Sequence, residues 1–192
     1  HEHDACGVGM VVSIDGKRRR EVVEAGVEAL KALWHRGAVD ADGKTGDGAG
    51  IHVEIPQDFF QEHTIRTGHT PNPESIAVGM IFLPRTDFSG QERCRSIVEA
   101  QILQFGYTIY GWRQVPINVE VIGEKANATR PEIEQIMIAG KPDTSDEIFE
   151  RDLYVIRRRI ENQVISSSLV KEIARLGGNM SKFTTKSTVK AL

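Results

Sequence analysis

Residues 5–16 read Ala5-Cys6-Gly7-Val8-Gly9-Met10-Val11-Val12-Ser13-Ile14-Asp15-Gly16. Val8, Met10, Val12 and Ile14 alternate with smaller or polar neighbours, the period of two that sends every second side chain to one face of a strand. Asp15-Gly16 supplies a turn to end it. Cys6 stands at the head of this predicted strand, and Gly7-Val8-Gly9 leave room beside its sulfur. On residue type alone, Cys6 reads as a small apolar residue buried at a strand start. A thiol reacts as its thiolate, so a nucleophilic role needs a base or a positive environment. Cleavage between Ala5 and Cys6 would supply one: the freed α-amino group has a reference pKa of about 8, close enough to neutral to take the proton of its own thiol.

Outward from this segment the chain alternates helix and strand patterns. Val23, Val27, Leu30 and Trp34 recur at helical spacing, with Val22 and Leu33 alongside, and predict a helix over residues 20–34. His35-Arg36-Gly37 ends it, with a cation at the negative end and a glycine just beyond. Thr45-Gly46-Asp47-Gly48-Ala49-Gly50 then leads into an alternating run, residues 51–55, that predicts a strand. A short helical piece surrounds Phe59 and Phe60. The apolar run 76–83 predicts a buried strand, and Cys94, Val98, Ile102 and Phe105 share one face of a helix. Strands are predicted at 107–115, 119–122 and 133–138. Thr144 and Glu147 form a plausible capping box for a helix with Phe149, Leu153, Ile156, Ile160 and Val164 in one stripe. Gly177-Gly178 breaks the pattern ahead of a polar tail. The order is mixed rather than strictly βαβ.

Composition bounds the function. The 192 residues carry a formal net charge of −3 and no repeat or biased tract. No global positive field invites nucleic acid; the runs Lys17-Arg18-Arg19-Arg20 and Arg157-Arg158-Arg159 read as solvated faces. No apolar run approaches a membrane span. Only two cysteines, Cys6 and Cys94, are present and far apart, which points to neither a disulfide framework nor a zinc site and favours a cytoplasmic setting. His1, Glu2, His3 and Asp4 are candidate metal ligands, but no clear partner set follows them, and a removable leader is the simpler reading. Gly46-x-Gly48-x-Gly50 lacks the Lys-Ser/Thr ending of a phosphate loop and precedes a strand rather than a helix. It reads instead as a tight loop where backbone passes close to something else.

Glu2-His3-Asp4-Ala5-Cys6-Gly7-Val8-Gly9 resembles the opening of the class-II glutamine amidotransferase domain of the glutamate synthase large-subunit family. The resemblance continues through Leu33-Trp34-His35-Arg36-Gly37-Ala38, Thr45-Gly46-Asp47-Gly48-Ala49-Gly50-Ile51 and Ile55-Pro56. It resumes at Ala77-Val78-Gly79-Met80-Ile81-Phe82-Leu83-Pro84, Gly111-Trp112-Arg113-x-Val115-Pro116 and Phe149-Glu150-Arg151-x-Leu153-x-Val155-Ile156-Arg157. It spans roughly residues 2–162 in order.

The resemblance implies an α+β Ntn-hydrolase-type fold, a four-layer αββα sandwich, here incomplete. It implies that residues 1–5 are a leader to be removed, residues 6–165 a partial amidotransferase domain, and residues 166–192 a divergent tail. Cys6 then attacks the side-chain amide of L-glutamine, and Arg36 lies in the turn beside the active site, although helix capping explains Arg36 equally well. Ammonia passes to remaining domains, which act on 2-oxoglutarate with FMN and an iron–sulfur cluster; this chain itself carries no cofactor or metal. The family's Arg-Phe-Ser-Thr-Asn and His-Asn-Gly-Glu-Ile segments, which supply glutamine binding and the oxyanion hole, do not occur in the sequence. The alternative expectation is therefore a catalytically incomplete fragment that acts as an association module.

Overall fold

The computed structural model describes residues 7–33, 37–46, 48–71 and 76–166. They fall into two units, His1–Val53 with Asn118–Thr129, and Glu54–Ile117 with Arg130–Leu192.

The second unit holds the sheet. Its elements are α2 (Gln57–Arg66), β1 (Ile76–Leu83), α3 (Phe88–Gln104), β2 (Thr108–Gln114), β3 (Glu132–Ala139) and α5 (Asp146–Ser166); α1 (Arg20–Ala32) and α4 (Glu124–Thr129) belong to the first. The strand order is β1-β3-β2, with β3 antiparallel to both neighbours. β1 and β2 are therefore parallel, and α3 makes the crossover that a parallel connection requires.

Both faces of the sheet are covered, which is why β1 is a continuous apolar run rather than an alternating one. On one face Ala77, Ile136 and Ile138 pack with Val98 and Ile102 of α3 and with Phe149, Leu153 and Ile156 of α5. On the other, Ile76, Val78, Met137, Ala139 and Tyr110 close over Phe60 of α2. Adjacent residues of β1 and of β3 thus serve opposite layers, as the pleat demands. A register shift between Ile109 and Gly111 marks a bulge in β2.

Helix ends follow local chemistry. Asp87 caps α3 by accepting the Gly90 N–H at 2.8 Å. Gly90 lets the Asp87 carboxylate fold close over the helix start, 2.3 Å from where a Cβ would sit. At α5 the capping hydroxyl is Ser145, whose Oγ accepts from Ile148 N at 3.4 Å, one residue beyond the predicted Thr144. The second basic run departs from the solvated-face expectation: Arg157 is buried and pairs with Glu161 at 3.0 Å, while Arg159 lies over the Phe105 ring. The first run is exposed, with Arg20 paired to Glu24.

The first unit departs further from expectation. α1 forms with Val23, Val27 and Leu30 half-buried along one side, but it buries no residue fully. Residues 8–14 and 51–55 form no strand, and Val8, Met10 and Ile14 are 95%, 85% and 103% exposed. A strand needs a partner for its backbone groups, and no described residue supplies a ladder to either segment. The turn at Asp15-Gly16 does form: Gly16 N–H reaches Ser13 O at 3.0 Å with Gly16 at φ 67°. Residues 119–122 are turn and bend rather than strand, because the Asn118 side chain accepts the Glu120 N–H at 3.0 Å, an Asx turn that competes with extension.

Candidate functional site

Cys6 and Arg36 lie outside the described residues, as do His1, Glu2, His3, Asp4, Asp47 and the tail from residue 167. What borders the two site positions is described. Leu33 caps the C-terminus of α1, its N–H reaching Leu30 O at 3.2 Å, so the helix closes just before residues 34–36. Gly7 sits against this end: a Cβ built on it would lie 3.6 Å from Leu33 Cδ1. The residue after Cys6 and the residue before Trp34 are side by side. Along the same helix, Gly26 faces Ile51, with 3.6 Å between its ideal Cβ and Ile51 Cδ1.

The glycine loop begins in a compact turn. Val39 and Gly46 form an antiparallel bridge, and Asp40 N–H donates to Thr45 O at 2.7 Å. Asp42 Oδ1 accepts the backbone N–H groups of Lys44 at 3.0 Å and Thr45 at 2.7 Å, and its second oxygen accepts the Thr45 hydroxyl. These donors, the Thr45 hydroxyl foremost, hold the Asp42 carboxyl far below the usual carboxylate range. A phosphate cradle needs free N–H groups aimed at the ligand. Here those of Lys44 and Thr45 are aimed at the Asp42 carboxylate instead.

Sequence reasoning found the tight loop but missed what it passes close to. Gly123, just before α4, packs so closely that a Cβ there would fall 2.1 Å from Thr45 Oγ1 and 2.6 Å from Thr45 N. Lys125 in α4 closes the contact, its Nζ 2.7 and 2.8 Å from the two Asp40 oxygens. That ion pair raises the Lys125 pKa and lowers that of Asp40, each acting first through the shared hydrogen bond. The Asp40-Ala41-Asp42-Gly43 turn is readable locally; a partner some eighty residues away carries no local signal.

Among the described residues no group of three or more His, Cys, Asp or Glu side chains could hold a metal ion. No described helix is long and apolar enough to cross a membrane.

Residues 6–182 match the family of class-II glutamine amidotransferases. The chain is 68% identical over 163 residues, 85% of its length, to the glutamate synthase [NADPH] large chain of Azospirillum brasilense. It is 38% identical over 169 residues, 88% of its length, to that of Bacillus subtilis. It is 37% identical over 174 residues, 90% of its length, to the chloroplastic ferredoxin-dependent glutamate synthase of Spinacia oleracea. In each case the match covers 11% of the relative, so the chain spans about a tenth of the length of these curated proteins. With the family match running through most of its residues, this chain belongs to the class-II glutamine amidotransferases.

Proposed function

We propose that the chain is the glutaminase part of a glutamate synthase, with Cys6 as its nucleophile. The observation that carries this reading is the family match, which opens at Cys6 itself. Removal of residues 1–5 frees the Cys6 α-amine. The amine takes the thiol proton as sulfur adds to the side-chain carbonyl of L-glutamine, then passes a proton to the departing nitrogen, which leaves as ammonia. Water hydrolyses the γ-glutamyl thioester to glutamate and restores the thiol. Arg36 supports the site from the turn after α1. The approach of Gly7 to Leu33 favours that pairing, because it brings the chain neighbours of Cys6 and of the segment 34–36 together.

Residues 6–165 then form part of an incomplete αββα sandwich and residues 166–192 a divergent tail. The ammonia is delivered, in a cytoplasmic enzyme, to further domains that make glutamate from 2-oxoglutarate. The FMN and iron–sulfur cluster of that reaction belong to those domains. The two cysteines here fall short of the four thiolates of an all-cysteine cluster site.

A second reading, an association module, is favoured by the exposure of Val8, Met10, Val12 and Ile14 along one segment, a surface that ordinarily marks a contact. Ammonia release from glutamine distinguishes the two. A chain beginning at Cys6, supplied with the family's glutamine-binding and oxyanion segments, is expected to release ammonia, and Cys6→Ala to abolish it. Release that survives Cys6→Ala contradicts the assignment. Alone, the chain is expected to show no steady release, because positioning and oxyanion stabilisation supply most of an amidase's acceleration.

A further inference from the structure

His63 and Arg113 meet on the α2 side of the sheet. Arg113, on β2, donates from Nε to His63 Nε2 at 3.2 Å and from Nη1 to Gln135 Oε1 of β3 at 2.7 Å. Its guanidinium carbon lies 5.0 Å from the centre of the Phe59 ring, and the Phe59 and His63 rings meet edge to face at 4.7 Å. A guanidinium can only donate and keeps its charge at every accessible pH. The Nε2 atom facing it must therefore present a lone pair, so His63 is neutral here with its proton on Nδ1.

We propose that His63 and Arg113 form a pH-sensitive clamp that holds the C-terminal half of α2 on the sheet while the imidazole is neutral and releases it on protonation. Protonation would put hydrogen against hydrogen and cation against cation beside the Phe59 ring. The start of α2 is secured independently: the Gln57 amide accepts from Ile76 N at 2.9 Å and donates to Ile76 O at 3.1 Å, and Phe60 is buried. The last turns are held by the clamp, by buried Thr64 and, just beyond the helix, by Thr67 against Gly111 and His69 against Tyr110 of β2.

The charges around His63 agree. Burial, then Arg113 on β2 and Arg66 on α2, push its pKa below the ordinary histidine value, and only Glu62 on α2 opposes them. The folded-state pKa is depressed, so the contribution of the clamp is complete above the ordinary value and is lost as pH falls through the folded one.

Amide hydrogen exchange on the full chain tests this, with rates corrected for intrinsic pH dependence and β3 as the internal reference. Between pH 7.5 and 5, opening of residues 62–68 should increase by up to about tenfold for each unit by which His63 is depressed, while β3 stays unchanged. His63→Gln keeps an acceptor that does not titrate, and its exchange should be flat. Equal corrected protection at both pH values in the parent, or the same pH dependence in His63→Gln, overturns the clamp. Nitrogen chemical shifts of the imidazole give a check without substitution. An unprotonated Nε2 at pH 7.5 is expected, and a proton on Nε2 contradicts the proposal.

Discussion

Tyr107 is held on three sides by different chemistry. Its ring packs against Phe149 with 5.1 Å between centres, the Lys141 ammonium lies 4.2 Å above its face, and its hydroxyl donates to Asp152 Oδ2 at 2.8 Å. Burial first and the Asp152 hydrogen bond second push the phenol above its ordinary range, so it stays a donor at every pH the protein meets. Tyr107→Phe keeps the ring contacts and deletes one hydrogen bond to a charged acceptor. The expected loss is about 1.5 kcal/mol in urea unfolding, with the slope of the transition unchanged. No measurable loss would mean that water replaces the hydroxyl at Asp152.

At the scale of elements, legibility followed the presence of a partner. The run 76–83, the face with Cys94, Val98 and Ile102, and the stripe Phe149, Leu153, Ile156 all describe surfaces that the second unit buries against one another. Residues 8–14 and 51–55 carry equally good strand patterns but meet no ladder, and pattern alone cannot say whether a neighbour exists. α4 was illegible because it is six residues long, too short for periodicity to register. The candidate site divided likewise. Cys6 is visible through the resemblance and not through its residue type, whereas the contact of Asp40 with Lys125 is invisible because it joins distant segments. Gly123 tests that contact. Gly123→Ala places a methyl against the Thr45 backbone, and an expected cost of about 2 kcal/mol follows from overpacking at a site that cannot relax cheaply. Thermal unfolding and the loss of the Lys125–Asp40 pairing by NMR would register it. A neutral substitution would mean that the loop at 40–46 yields.

For the molecule as a whole, charge and function bear on each other. The net charge of −3 supplies no global attraction for a phosphate, and the Asp42 carboxylate takes the N–H groups of Lys44 and Thr45 ahead of the glycine loop. ATP or NAD should therefore leave the melting temperature unchanged. A ligand at a hundred times its dissociation constant adds about 2.7 kcal/mol, so a clear rise would contradict this reading of the loop. The central claim concerns Cys6, a thiol served by its own amine, and Cys94 provides its internal control. Cys94 is buried beside Leu83, and desolvation raises its pKa, so it should label slowly until the chain is unfolded. The direct measurement is the pH profile of thiol labelling, read site by site by mass spectrometry, in the chain as given and in one that begins at Cys6. Amine assistance predicts faster labelling of Cys6, shifted to lower pH, once residues 1–5 are gone, with Cys94 slow in both; identical Cys6 profiles in the two chains would contradict it.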